Sequence, residues 1–181
     1  MMENKTRRRI TIERTYKASV EDVWSLWTTK EGIESWWGPD GFTTKILKLD
    51  LRAGGELLYA MTATAPAQAQ FMKNAGMPLT TQGRITYTEV VTHRRLAYIH
   101  LADFIPGVQP YDVATLVEFH STGQTVHMVL TFDAMHNEEW TQRAVMGQES
   151  QLGKLEKVIA GKPSRPKRSI HAVSGEALSP C

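Results

Sequence analysis

The sequence predicts an α+β domain in which a curved antiparallel sheet wraps around one long C-terminal helix. Three observations predict this class. Six strand patterns follow Phe42, two short helical segments precede them, and one long amphipathic helix comes last. A turn, Trp36-Trp37-Gly38-Pro39, separates the short helices from the strands. Paired aromatic side chains beside such a turn close one end of an apolar core, or line the mouth of a pocket where the core is hollow.

The chain begins with a strand and two short helices. Residues 9–16 alternate Ile10 and Ile12 with polar neighbours, which is typical of a half-buried strand. Ser19 is a suitable N-cap for a helix whose apolar residues recur at helical spacing, namely Val20, Val23, Trp24 and Trp27. Residues 30–36 predict a second short helix. We expect the apolar face of the first helix to pack on the sheet.

The six strands are predicted at residues 43–51, 56–62, 83–91, 95–102, 112–121 and 124–134. In the last hairpin, Thr122-Gly123 is predicted as a two-residue turn, so that Phe119 pairs with Val126. That register places a mostly apolar set on the core face: Val113, Thr115, Val117, Met128, Leu130 and Phe132. On the other face it places Glu118 opposite His127 and His120 opposite Thr125. We expect these histidines to be solvated and not to bind a metal.

An insertion at residues 63–82 interrupts the strands. Pro66 suits the first turn of a helix, and Gly76 and Pro78 mark its end. The adaptable apolar side chains Phe71, Met72 and Met77 suit either a lid over a cavity or a plug in a gap. A second apolar loop, residues 103–111, includes Phe104 and Tyr111, and we expect it to border the same opening.

The longest helix is predicted from an N-cap at Asn137 to Gly161. Its apolar face contains Trp140, Ala144, Leu155, Val158 and Ile159, with Leu152 at the margin. Gln148 and Gln151 fall in the middle of that face. A buried polar group without a partner costs about 1–3 kcal/mol. These two amides are therefore expected to bond to backbone or water in a cavity, or to contact a ligand.

Composition predicts one domain with two basic ends. With 181 residues, of which 41% are hydrophobic and 22% charged, one sizeable core is expected. We assign residues 1–8 to a basic arm, 9–161 to the folded domain and 162–181 to a flexible basic tail. Cys181 is the only cysteine, which excludes an internal disulfide and suits a reducing cytoplasm. The sequence has no apolar stretch of membrane-span length, so we do not expect membrane insertion. Its basic excess lies in the ends, whereas residues 10–161 have 13 basic and 17 acidic residues, a net charge of −4, so we do not expect nucleic-acid binding.

Several of these segments together resemble a known family. They are residues 11–16, Val23-Trp24, the Trp36-Trp37-Gly38-Pro39 turn, Gly54-Gly55 and the helix from Glu138-Glu139-Trp140 to residues 151–155. This combination is similar to the START-like helix-grip (SRPBCC) superfamily, and within it to the branch named after the C-terminal domain of the activator of heat-shock protein 90 ATPase. The resemblance implies a helix-grip fold and a ligand carrier, an aromatase/cyclase or a co-chaperone.

The chain departs from the family pattern at Gly147-Gln148, where many members have Gly-Trp. Loss of an indole at this position implies a roomier and more polar cavity. The insertion at residues 63–82 is a second departure, because the shortest members have a simple hairpin there.

The common signatures for phosphate binding, metal binding and acyl transfer are absent from the sequence, and we expect no cofactor and no metal. The candidates for catalysis are His100 and Tyr98, which share one face of a strand. If that face points inward, they bring an imidazole and a phenol into an apolar cavity as acid and base. If it points outward, His100 is an ordinary solvated histidine. Asp103 and Asp112 flank the loop at the end of the sheet and are candidates to orient this histidine.

Three functions follow as hypotheses. The first is binding of a hydrophobic or aromatic small molecule without catalysis. Its expected contacts are Trp37, Met61, Phe71, Met72, Met77, Tyr98, His100, Phe104, Tyr111, Val117, Met128, Leu130, Trp140, Ala144, Gln148 and Gln151. The second is a cyclase, dehydratase or hydrolase that uses His100 and Tyr98. The third is a module that engages a chaperone ATPase. A homodimer is a further expectation, since many proteins with such a sheet form two-fold dimers.

Overall fold

The computed structural model describes residues 7–162. The predictions for the basic arm before residue 7 and for the tail after residue 162 lie outside these residues. Seven antiparallel strands form one sheet in the order β1-β7-β6-β5-β4-β3-β2. In chain order the elements are β1 (Arg9–Tyr16), α1 (Val20–Thr28), α2 (Lys30–Glu34), β2 (Phe42–Leu49), β3 (Glu56–Ala63), α3 (Pro66–Asn74), β4 (Thr80–Val91), β5 (Arg95–Ala102), β6 (Tyr111–Ser121), β7 (Val126–Asp133) and α4 (Glu138–Gly161). The curved sheet with its long terminal helix confirms the predicted helix-grip α+β fold.

The two short helices are joined without a loop. Ser19 caps α1 by accepting a hydrogen bond from the Asp22 amide at 3.2 Å. Thr29 ends α1 and caps α2, because its hydroxyl accepts from the Gly32 amide at 3.0 Å. A side chain at Gly32 would not fit, since its Cβ would lie 2.2 Å from the Ser25 carbonyl oxygen. The close approach of α2 to α1 therefore requires this glycine. α2 ends at Glu34, two residues before the predicted end.

The predicted register of the β6–β7 hairpin is wrong by two residues. Phe119 pairs with Met128, not with Val126, and residues 122–125 form a four-residue connection. A two-residue turn of the favoured type needs positive φ at both central residues. Gly123 has φ 76°, but Thr122, a β-branched residue, does not adopt positive φ. The shift of two keeps the parity of the strands, so the predicted core face is unchanged.

The same shift changes the pairs on the outer face of the hairpin. His120 lies opposite His127, and Glu118 lies opposite Val129. The predicted pairs of Glu118 with His127 and of His120 with Thr125 are therefore wrong. His127 instead lies 3.2 Å from a carboxylate of Glu13 on β1.

The insertion is shorter than predicted because both flanking strands extend into it. β3 runs to Ala63 and β4 begins at Thr80, and Thr62 pairs with Thr80. The connection contains α3, with Pro66 in its first turn as the sequence indicated. Phe71 is 63% exposed and Met72 is buried.

The core lies between one face of the sheet and the helices. Trp27 and Trp36 are buried with ring centroids 4.6 Å apart, and Leu152 and Leu155 of α4 are fully buried in the same cluster. Asn137 caps α4 by accepting from the Trp140 amide at 2.9 Å. Within residues 7–162, no helix combines the length and the apolar character needed to cross a membrane.

Candidate functional site

A cavity of about 200 Å³ lies between α4 and the core face of the sheet. Its lining is mostly apolar and aromatic, with a few polar side chains. The lining residues are Trp37, Gly38, Pro39, Tyr59, Met61, Ile85, Tyr98, His100, Ala102, Phe104, Val113, Thr115, Phe132, Met135, Ala144, Gly147, Gln148 and Gln151. Such a combination of apolar walls and few polar groups is typical of small-molecule sites.

Helical spacing explains which residues α4 contributes. Ala144, Gly147, Gln148 and Gln151 follow the i, i+3, i+4, i+7 row that forms one face of a helix. Gly147 leaves open space, because a Cβ built there meets no heavy atom within 4 Å. The absence of a side chain at this position contributes to the cavity volume.

The turn formed by residues 36–42, which we call the Trp turn, closes one side of the cavity. Gly38 has φ 94°, a conformation that favours glycine, and a Cβ there would lie 3.0 Å from the Met61 sulfur. The Trp36 indole donates a hydrogen bond to the Leu26 carbonyl at 2.8 Å. The Thr44 hydroxyl donates to the Trp37 carbonyl at 2.7 Å. Trp36 is thereby fixed in the core, and Trp37 faces the cavity.

Three side chains of α4 hold the Trp turn in place. Ser150 accepts a hydrogen bond from the Asp40 amide at 2.9 Å. Lys154 Nζ donates to the carbonyls of Gly38 and Phe42 at 3.0 and 3.2 Å. Burial lowers the pKa of Lys154, and the negative charge of Asp40 acts in the opposite direction.

Gln151 makes the third contact with the Trp turn and also forms a hydrogen bond with Gln148. Its Oε1 accepts from the Gly38 amide at 3.1 Å, and its Nε2 donates to Gln148 Oε1 at 2.8 Å. Gln151 is 8% exposed, so both halves of a buried amide are satisfied within the protein. Of the alternatives that the sequence left open, backbone bonding therefore applies to Gln151.

His100 and Tyr59 form a polar pair in the opposite wall. The Tyr59 hydroxyl and His100 Nε2 are 3.3 Å apart and share a hydrogen bond. Gly83 lies opposite Tyr59 in the sheet, and a Cβ there would come within 2.2 Å of the tyrosine ring. The phenol ring thus occupies the space that this glycine leaves free.

Burial sets the protonation of this pair. It lowers the pKa of His100, and the Asp103 carboxylate opposes the shift. Burial raises the pKa of Tyr59 to about 12. A hydrogen bond with Trp37 opposes this rise, and the negative charge of Asp103 adds to it. Burial also raises the pKa of Tyr98 strongly. At neutral pH these side chains are therefore an uncharged imidazole and two protonated phenols.

The loop of residues 103–110, which we call the Phe104 loop, borders the cavity at the end of β5. Phe104 is 43% exposed, and its ring stacks on His100 with centroids 6.5 Å apart. On its other side Phe104 contacts Trp140 of α4, with ring centroids 6.0 Å apart. Phe104 thus lies between the cavity and solvent.

The structure brings half of the predicted contact residues to the cavity. Trp37, Met61, Tyr98, His100, Phe104, Ala144, Gln148 and Gln151 line it. Val117, Met128 and Leu130 are buried in the packed core instead, Tyr111 hydrogen-bonds to His136, and Trp140 contacts Phe104 without lining the cavity. Phe71, Met72 and Met77 do not line it either, so in this structure the insertion is neither a lid nor a plug of this cavity.

Sequence reasoning missed several lining residues, and Tyr59 is the most informative of them. It follows the strand alternation of Leu57, Tyr59 and Met61, of which only Met61 was selected. Thr115 is on the face that was predicted to be the core, whereas Met135 lies after β7, where no periodic pattern indicates it. Within residues 7–162, no cluster of His, Cys, Asp or Glu is suited to hold a metal ion.

Solved structures with the same fold provide an independent comparison. A protein from Chromobacterium violaceum matches with a TM-score of 0.69 and 19% identity, over 85% of this chain and 98% of that one. A protein from Arthrobacter aurescens matches with a TM-score of 0.67 and 19% identity, over 90% and 92%. The AHSA1 protein from Silicibacter pomeroyi matches with a TM-score of 0.66 and 15% identity, over 84% and 98%. At these identities the likeness shows the fold.

The sequence itself identifies the family. No curated protein matches the chain. The family described as "Activator of Hsp90 ATPase homolog 1-like protein" matches residues 17–160, which is most of the chain and contains every residue that lines the cavity. The chain therefore belongs to the Activator of Hsp90 ATPase homolog 1-like family, the START-like helix-grip branch that its motifs indicated.

Proposed function

We propose that the protein binds a small hydrophobic or aromatic molecule in the cavity between α4 and the sheet. The observation that supports this most directly is the cavity of about 200 Å³, with an aromatic wall of Trp37, Tyr59 and Tyr98 and the polar groups of His100 and Gln148. Well-packed domains contain few voids larger than a water molecule. A ligand that binds only the folded protein also stabilises it by mass action.

The volume limits the size of the ligand. An engineered apolar cavity of about 150 Å³ binds benzene. A cavity of about 200 Å³ is therefore suited to a single substituted aromatic ring or an aliphatic compound of similar size. Sterol-sized and fatty-acid-sized ligands are too large for this conformation.

Substitution of Gly147 tests the proposal. Gly147→Met adds a side chain in the row that faces the cavity, whereas Gly153→Met adds the same side chain to the same helix away from it. Both replace a mid-helix glycine by a better helix former, so their direct effects on α4 match. Small aromatic compounds are titrated into each protein by NMR, and native mass spectrometry tests whether a compound co-purifies.

We expect the wild type and Gly153→Met to bind the same compounds and Gly147→Met to bind none of them. Equal binding by all three proteins would place the ligand elsewhere. Absence of any binder and of any co-purified compound in the wild type would refute the proposed function.

A second candidate is an enzyme that uses acid/base chemistry in the same cavity, and the Tyr59–His100 hydrogen bond favours it. A neutral imidazole beside a phenol can accept a proton from a substrate, and a protonated phenol can hydrogen-bond to a developing negative charge. In this arrangement Tyr59 takes the position next to His100 that the sequence had suggested for Tyr98. His100→Gln should abolish turnover of any substrate found while ligand affinity is retained. Unchanged turnover would exclude the role.

The interaction with a chaperone ATPase, the homodimer and the cytoplasmic location stay predictions from the sequence and its family. A pulldown with an ATPase chaperone and sedimentation analysis test the first two. Fractionation of cells tests the third.

A further inference from the structure

The polar contacts of the cavity contain information about the class of ligand, beyond its size. This inference rests on the proposed binding function and asks which charge and which hydrogen-bonding group the ligand has. The relevant groups are the Gln151–Gln148 pair on α4, the Tyr59–His100 pair on the sheet, and Asp103 beside the mouth.

The hydrogen bonds of the glutamine pair run in one direction. The Gly38 amide is a backbone donor, so the group of Gln151 that faces it must be the acceptor Oε1. Gln151 Nε2 is then the donor to Gln148, and the receiving group must be Gln148 Oε1 at 2.8 Å. The orientation of both amides is thus fixed from the backbone outward.

The result is an unused donor on a cavity-lining side chain. Within residues 7–162, Gln148 Nε2 has no hydrogen-bond partner. Aligned hydrogen bonds in series polarise one another, which strengthens the last donor. A ligand atom that accepts a hydrogen bond complements this group, whereas a purely apolar ligand would leave it unpaired.

Charge in the cavity wall is the second consideration. No Asp, Glu, Lys or Arg occurs among the described residues that line the cavity. An anionic ligand would find no cation to pair with, and the Asp103 carboxylate acts on the Tyr59–His100 pair from nearby. A cationic ligand would contact aromatic faces and be attracted by Asp103, but it would meet the Gln148 donor without an acceptor to offer it. A buried charge without a partner is strongly unfavourable.

We propose that the ligand is an uncharged compound with one aromatic ring and a carbonyl-type acceptor that accepts a hydrogen bond from Gln148 Nε2. The ring contacts Trp37, Tyr98 and the space beside Gly147, and the acceptor lies toward the glutamine pair. Tyr59 and His100, hydrogen-bonded to each other, border the ring from the sheet.

Four compounds of similar size test the proposal by NMR titration of the full-length protein at pH 7. They are acetophenone (neutral with an acceptor), ethylbenzene (neutral without one), benzoate (anionic) and benzylamine (cationic). We expect acetophenone to bind tightest and ethylbenzene roughly fivefold weaker, the worth of one neutral hydrogen bond. Benzoate should bind at least about 100-fold weaker than acetophenone, because its charge has no cation in the lining and Asp103 is nearby. Benzylamine should also bind more weakly than acetophenone, because its ammonium meets the Gln148 donor and offers no acceptor to it.

Gln148→Met tests the assigned donor, because methionine keeps the length of the side chain and removes its amide. We expect this variant to lose the preference for acetophenone over ethylbenzene. Gln142→Met on the exposed part of the same helix is the control and should keep the preference. The Gly38–Gln151 bond is retained in both variants, so folding is preserved.

The outcomes separate this inference from the proposed function. Binding of ethylbenzene, benzoate or benzylamine as tight as that of acetophenone would overturn the ligand class and leave the binding function intact. An unchanged preference in Gln148→Met would overturn the role of that residue. If none of the four compounds shifts the resonances of the cavity, this inference fails, and the titrations with Gly147→Met and the co-purification experiment decide the binding function separately.

Discussion

The Trp turn and the Phe104 loop border the same cavity, but the protein holds them very differently. Backbone amides of the Trp turn donate hydrogen bonds to Ser150 and Gln151 of α4, and Lys154 of α4 donates to a carbonyl of the turn. Buried Trp36 anchors the turn in the core. In the Phe104 loop, the described residues show one internal backbone bond, from the Val108 amide to the Ile105 carbonyl at 3.3 Å. Ile105 is buried, but Phe104 is 43% exposed.

This difference assigns separate roles to the two borders of the cavity. A segment with many buried contacts opens rarely, whereas one with few opens often. The Trp turn is therefore expected to set the shape of the cavity. The Phe104 loop is expected to be the entry route for a ligand, because the partly exposed Phe104 lies between the cavity and solvent.

The largest effect is expected for Trp36→Ala, which removes the anchor of the Trp turn. Trp36 is fully buried, contacts the rings of Trp27 and Trp37, and donates to the Leu26 carbonyl. Truncation of a buried tryptophan lowers the free energy of unfolding by about 3–5 kcal/mol. Urea denaturation measures this change. A loss below about 1 kcal/mol would show that the turn is not the better-anchored border.

A smaller loss is expected for Gln151→Leu, which disconnects the Trp turn from α4. The buried Gly38 amide would lose its acceptor, and an unsatisfied buried group costs about 1–3 kcal/mol, whereas the half-buried Gln148 Oε1 loses one donor. The free energy of unfolding should fall by that amount. Gln142→Leu, an exposed glutamine of the same helix, should change it by less than about 0.5 kcal/mol. Equal values for the two variants would mean that Gln151 does not hold the turn.

The two borders of the cavity also differ in how far the sequence predicts them. The Trp turn and the α4 face with Gln148 and Gln151 were predicted, because a breaker and helical periodicity are local signals. The two-residue error in the β6–β7 register arose from turn chemistry, which strand patterns do not specify.

Long-range partners were beyond prediction. Lys154 reaches carbonyls of the Trp turn more than 100 residues away in sequence, and His100 pairs with Tyr59 across the sheet rather than with Tyr98. These contacts depend on how the strands and α4 are placed in three dimensions. The same holds for Phe71, Met72 and Met77 of the insertion, which suited a cavity lid by composition but do not line the cavity.

The next prediction concerns acid stability at the border near Phe104. Because burial lowers the pKa of His100 in the folded protein, the unfolded chain binds more protons below the ordinary histidine pKa of 6.5. The contribution of neutral His100 is therefore complete above that pH and is lost as the pH falls toward the folded-state pKa. We expect the free energy of unfolding to fall less between pH 7 and pH 5 in His100→Gln than in the wild type.

The control for this pH effect is His120→Gln, which alters an exposed histidine on the outer face of the sheet. It should keep the pH dependence of the wild type. Urea denaturation at both pH values measures all three proteins. An identical pH dependence in His100→Gln and the wild type would contradict the burial of a neutral imidazole in the cavity wall.

The smallest effect on stability is expected for Phe104→Ala, at the loosely held border. Since Phe104 is 43% exposed, and its ring contacts are with the half-buried His100 and with Trp140, its removal should cost less than about 1 kcal/mol. Its effect should appear in kinetics instead, because the side chain lies between the cavity and solvent. NMR line shapes of bound acetophenone should show faster association and dissociation in Phe104→Ala. Phe71→Ala, which removes another exposed phenylalanine away from the cavity, should leave both rates unchanged. Faster exchange in a Trp-turn variant but not in Phe104→Ala would reverse the roles of the two borders.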